Sequence, residues 1–128
     1  MPLLPIIRFD ADGSPLTISI TFPTLQVVAY TVTLFEARSN SIALRQTGNN
    51  QNPQDDVYDL PTPVRTNIGR LIEFSATFVD PGAKPNAACR SEATVKQGSR
   101  SLGCLVVTCT MSGTSCRGTA FAKLTSGA

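Results

Sequence analysis

The four cysteines, Cys89, Cys104, Cys109 and Cys116, have the widest chemical range of any residues in this chain, and all lie in its last third. Three chemistries are open to them. A disulfide framework is the first, and four cysteines allow three pairings. A tight turn at Ser112-Gly113 would set Cys109 opposite Cys116, which makes that pair the favoured bridge. Closing so short a loop would stabilise the fold by about 2–3 kcal/mol before strain. Reduced cysteines that fill core space are the second reading. A metal centre is the third, but C-x₄-C-x₆-C matches no usual zinc spacing, and no histidine is available as a further ligand. By side-chain alternation Cys89, Cys109 and Cys116 face inward and Cys104 faces the other way. The redox compartment decides between the first two readings.

The remaining reactive side chains are sparse. The chain has no histidine, which removes the usual general base and the Ser-His and Cys-His nucleophile pairs. Lys84, Lys96 and Lys123 occupy loop or outward positions, where lysine stays protonated. Asp55, Asp56 and Asp59 are close enough in sequence to suggest a carboxylate pair for glycoside hydrolysis, but no tryptophan offers a sugar platform. A solvated loop explains them as well. Asp10-Ala-Asp12-Gly13 has the opening of a calcium loop, with Asp59 or Asp80 as distant ligands. The Pro15 that follows and the missing terminal glutamate point instead to an Asx turn. No catalytic residue, cofactor site or metal site is assigned, and the expectation is a chain that is not an enzyme. Asn49, Asn50, Gln51 and Asn52, within an irregular stretch over 47–56, form a candidate ligand loop with amides suited to a sugar or a peptide backbone.

Positioning these residues falls to extended segments. Leu16, Ile18, Ile20 and Phe22 alternate with Thr17, Ser19 and Thr21, the period of a half-buried strand. Ile72, Phe74, Ala76 and Phe78 alternate in the same way with Glu73, Ser75 and Thr77. The segment 25–36 is apolar on both faces, so it should be a central strand or one covered on its second face. Shorter strands are expected over 3–9, 41–45 and 57–60, and Pro5 places the first at an edge. Segments 88–97, 102–111 and 114–124 read as a meander with turns near Gly98 and Gly113. No window has helical periodicity beyond one turn near 66–69. The pattern predicts a single domain over residues 1–128, an immunoglobulin-like β-sandwich of about eight antiparallel strands with little or no helix. A closed barrel is the competing architecture.

The stretch Gly69-Arg-Leu-Ile-Glu-Phe-Ser-Ala-Thr-Phe-Val-Asp-Pro-Gly82 resembles the late core strand and following loop of bacterial immunoglobulin-like domains. The resemblance covers about a tenth of the chain and implies a fold, not an activity. The core tryptophan of antibody-type domains is absent.

Totals narrow the function. Hydrophobic residues make up 41% of the 128, and charged residues 16%. The first figure is that of a folded chain, and the second is low against a usual ~25%. The net charge of +2 and the lack of any Lys/Arg run exclude a nucleic-acid footprint. Residues 1–64 hold three basic against six acidic side chains, and 65–128 hold eight against three. If the halves do not interleave, that asymmetry favours head-to-tail association. No apolar run reaches the ~20 residues of a membrane span. The first residues lack the charge pattern of a signal peptide, so the chain reads as intracellular or as a mature exported or virion segment. The function expected is a non-catalytic structural or protein-interaction module that self-assembles or decorates a larger particle or fibre. Its partners would be proteins, other copies of itself included. The alternative is a small-ligand or carbohydrate-binding module using its end loops. No cofactor is implied.

Overall fold

The computed structural model describes residues 4–23, 27–51, 56–80, 82 and 87–127. Within them the chain forms nine strands and one short 3-10 turn: β1 (Ile6–Phe9), β2 (Leu16–Thr21), β3 (Val27–Phe35), β4 (Ile42–Asn49), β5 (Asp56–Asp59), the turn Val64–Asn67, β6 (Leu71–Val79), β7 (Ala88–Gln97), β8 (Arg100–Thr110) and β9 (Ser115–Ser126). They make two sheets, one of five strands in the order β1-β9-β6-β3-β4 and one of four in the order β5-β2-β7-β8. The two sheets are arranged as a sandwich.

Alternation creates the core. Leu16, Ile18 and Ile20 from β2, Ile72, Phe74, Ala76 and Phe78 from β6, and Cys89, Ala93 and Val95 from β7 are all buried. Each fully buried Phe, Leu or Ile contributes about 1.5–3 kcal/mol of hydrophobic stabilisation relative to exposure. The doubly apolar segment becomes β3, which pairs with β6 on one side and β4 on the other. Its central place explains why even outward-facing Thr33 is only 1% exposed.

Three expectations need correction. First, not every pair is antiparallel, because β1 runs parallel to β9, with Ile7 opposite Leu124. Burial of Ile7 and Phe9 between the sheets holds it there. Second, the strand expected over 41–45 continues to Asn49, although Thr47-Gly-Asn looks like loop. Gly48 lies opposite Tyr30 in the ladder, and a Cβ built on it would come within 2.5 Å of the Tyr30 hydroxyl oxygen. Glycine there makes room for the tyrosine, so tertiary packing overrides local turn preference.

Third, β8 and β9 are not a hairpin. The isolated bridge Ser112–Ser115 closes the turn after β8, and β9 then enters the other sheet beside β6. Gly113, at φ 69°, supplies the left-handed turn residue. The two layers then approach closely. A Cβ on Gly118 of β9 would meet Val107 Cγ1 of β8 at 2.6 Å and the Thr108 carbonyl oxygen at 3.0 Å.

Local polar contacts fix the ends of the sandwich. The buried Gln97 side chain accepts from the Asp10 amide at 2.9 Å and donates to the carbonyls of Asp10 and Ser14 at 2.7 and 2.8 Å. It thereby ties the β1–β2 loop to the end of β7. The uneven charge of the two halves is partly compensated in space, since Asp12 pairs with Arg65 and Glu36 with Arg70.

Candidate functional site

The cysteines come together as alternation predicts, but through a different geometry. Cys89 and Cys109 are directly opposite each other in the β7–β8 ladder. Cys109 is bonded to Cys116 with their Cα atoms 6.0 Å apart. Because Cys116 is on β9, this disulfide joins the two sheets, whereas the hairpin reading had it joining neighbouring strands of one. The sulfurs of Cys89, Cys109 and Cys116 all lie within 4.8 Å of one another. Cys89 is a free, buried thiol. Burial, and secondarily the nearby negative charge of Asp80, raise its pKa above the usual thiol range.

Cys104 is exposed on the outer face of β8. Its sulfur lies 3.7 Å from both the Thr94 hydroxyl and a Glu92 carboxylate oxygen. Desolvation raises its pKa first. The Thr94 hydrogen bond opposes that shift and Glu92 adds to it.

The expected ligand loop is largely engaged in local structure. Asn49 closes β4, and its side-chain oxygen accepts from the Gln51 amide at 2.9 Å. Asn50 extends the β3–β4 ladder, its side chain accepting from the Val28 amide at 3.0 Å. Asn52 lies outside the described residues, as do Asp55 and Lys84. Asp10 and Asp12 form the turn that competed with calcium. The Asp12 amide donates to the Asp10 carboxylate at 2.9 Å, and the Asp12 carboxylate is held by Arg65. Asp80 similarly caps a turn by accepting from the Gly82 amide at 3.0 Å.

Two features had no clear sequence signal. Tyr30 of β3 reaches across the layers, and its hydroxyl donates to the Asp56 carboxylate and is in hydrogen-bond contact with the Tyr58 hydroxyl. Burial, followed by these two partners, raises the Tyr30 pKa far above the ordinary tyrosine value. The second feature is a polar depression of about 560 Å³ on the outer face of the five-stranded sheet. Thr31, Thr47, Asn49, Ser75, Thr77 and Arg117 line it. Arg117 Nε donates to the Ser75 hydroxyl at 3.1 Å. These residues come from four strands that sequence spacing cannot align.

The sheet edges carry the other notable surface. Each of the four edge strands presents an exposed large hydrophobic residue: Ile6 on β1 (53%), Ile42 on β4 (48%), Val57 on β5 (57%) and Val106 on β8 (37%). The longest edge is β8, with eleven residues. Its only charged residue is Arg100, at its first position. Among the described residues no helix is long and apolar enough to cross a membrane. No protein-family model, curated protein or solved structure matches this chain.

Proposed function

We propose that this chain is a non-catalytic structural module, an immunoglobulin-like sandwich that associates with further copies of itself through the edge of β8. The immunoglobulin-like assignment draws support from the central position of β6, the strand whose sequence resembles such domains. The observation that carries the functional reading is β8 itself. Residues 101–110 form an uncharged edge with Val106 exposed on it. Edge strands expose unpaired N–H and C=O groups, and proteins that remain monomeric commonly blunt them with charge, proline or short length. Over ten residues β8 has none of these devices, and the one irregularity in its pairing, at Leu102, lies near its start and leaves 103–110 regular. Two copies pairing antiparallel along β8 would continue the four-stranded sheet across a two-fold axis, with main-chain hydrogen bonds supplying affinity.

Sedimentation velocity over a wide concentration range tests this. The native chain should gain mass with concentration, and the Val106→Lys, Thr108→Lys double variant should remain monomeric through like-charge repulsion across the edge. A native chain that is monomeric at every concentration, or a variant that associates equally well, rules the reading out.

The depression around Arg117 favours a second reading, a binder of polar small molecules such as saccharides. Hydroxyls, an amide and a guanidinium converge there beside Ala29 and Tyr30. Glycan binding that disappears in Arg117→Ala and Thr31→Val would support it, and silence across a glycan array would remove it.

A further inference from the structure

The three clustered sulfurs come from three strands, β7, β8 and β9. Two of them form a bond in the oxidised chain, and the third, Cys89, is a free thiol beside that bond. A disulfide alone needs no third sulfur, so the cluster has one more soft ligand than the covalent link uses. We propose that in reducing surroundings Cys89, Cys109 and Cys116 form a trigonal site for a monovalent thiophilic cation, copper(I).

Geometry supports the assignment. A metal–sulfur bond of about 2.3 Å sets three coplanar sulfurs about 4 Å apart, and these three already lie within 4.8 Å of one another. The backbone positions therefore need little change once the Cys109–Cys116 bond opens. Ligand number selects the ion. Zinc takes four ligands in structural sites, and among the described residues no histidine or carboxylate joins the three sulfurs. Cys104 points to the opposite face of β8 and contacts Thr94 and Glu92. Copper(I) is satisfied by three thiolates, the softest ligands that proteins offer. Access is available because Cys109 and Cys116 are only partly buried.

The chemistry balances in two steps. A reductant breaks the Cys109–Cys116 sulfur–sulfur bond and leaves two thiols: either two external thiols give up two electrons and two protons and become a disulfide, or a phosphine gives up two electrons and takes the oxygen of a water molecule, whose two protons go to the sulfurs. One copper(I) ion then forms three copper–sulfur bonds, and the three thiol protons pass to solvent. An external disulfide, itself reduced to two thiols, re-oxidises Cys109 and Cys116, Cys89 regains a proton from solvent and the ion is released, so occupancy follows redox state.

The test is an anaerobic titration of the phosphine-reduced full chain with copper(I), followed by native mass spectrometry and by the ultraviolet thiolate-to-copper charge-transfer band. A copper(I) chelator is then added as competitor, and circular dichroism checks that strands persist. The native chain and Cys104→Ala should each keep one ion against the chelator. Cys89→Ala should lose it, and the unreduced native chain should take up none. Equal retention by Cys89→Ala, loss in Cys104→Ala, failure of the reduced native chain to bind, or binding only after the strand signal is gone each overturns the proposal.

Discussion

Cys109 and Cys116 are seven positions apart in sequence and bonded to each other, yet they belong to different sheets of the sandwich. Their bond therefore holds the two layers together at the point where β8 gives way to β9. Close approach of the strands, allowed by Gly118, puts the sulfurs within reach. At the opposite side of the sandwich, Tyr30 spans the layers by hydrogen bonding to Asp56 and Tyr58. One side is joined covalently and the other by polar contacts.

Removing the covalent link should cost modest stability. Closing a loop this short restricts the unfolded chain by about 2–3 kcal/mol. Cys116→Ala is expected to lower the unfolding free energy by about 2 kcal/mol in urea denaturation without reductant. The native chain in reductant should fall to a similar value. An unchanged midpoint in both cases would mean the bond contributes nothing.

Gly118→Ala should be destabilising although the residue is in a strand, where glycine is usually replaced with gain. The added methyl meets a side chain at 2.6 Å and a backbone oxygen at 3.0 Å. Overpacking of this kind costs about 1–3 kcal/mol. Thermal melting of the variant beside Gly113→Ala makes the comparison, since Gly113 has open space around it and suffers only from its left-handed φ of 69°.

Gln97→Ala should loosen the β1–β2 loop. Its amide makes three hydrogen bonds to that loop while only 8% exposed. Leaving buried partners unsatisfied costs about 1–3 kcal/mol. Hydrogen exchange should show faster amides over 10–14, with protection in the β3–β6 ladder preserved. Uniformly faster exchange across the chain would contradict a local role.

Alkaline pH should destabilise the fold through Tyr30. Burial, then the contacts with Asp56 and Tyr58, keep its proton bound in the folded chain at pH values where the unfolded chain releases it. Above pH of about 10, the ordinary tyrosine value, the unfolded state holds fewer protons than the native state. The Tyr30 contribution is whole below that pH and declines as pH rises past it. Denaturation midpoints measured from pH 8 upward should fall less steeply in Tyr30→Phe than in the native chain. Parallel slopes would assign the alkaline loss to other groups.

The residue pattern determined much of this molecule. Leu16, Ile18 and Ile20, or Cys89, Ser91, Ala93 and Val95, could be placed inward from period-two spacing alone, because side chains alternate across any extended backbone. The same rule set Cys104 apart from the other cysteines. The double apolarity of 25–36 marked a central strand, and Pro5 marked an edge.

Only the tertiary structure decided which strand each segment joins. Alternation assigns a side chain to a face but carries no information about the neighbour in the ladder. Ser112-Gly113 suits a hairpin and a change of sheet equally well, and the choice fell to β9 pairing with β6, nine register positions from Leu71 to Val79. That choice turned the Cys109–Cys116 bridge from a link within one sheet into a link between two. It also left β8, uncharged over 101–110, as an edge and gathered the Arg117 depression from four strands. These outcomes depend on contacts between residues far apart in the chain, where the burial gained by one arrangement of sheets over another is settled by the whole core at once.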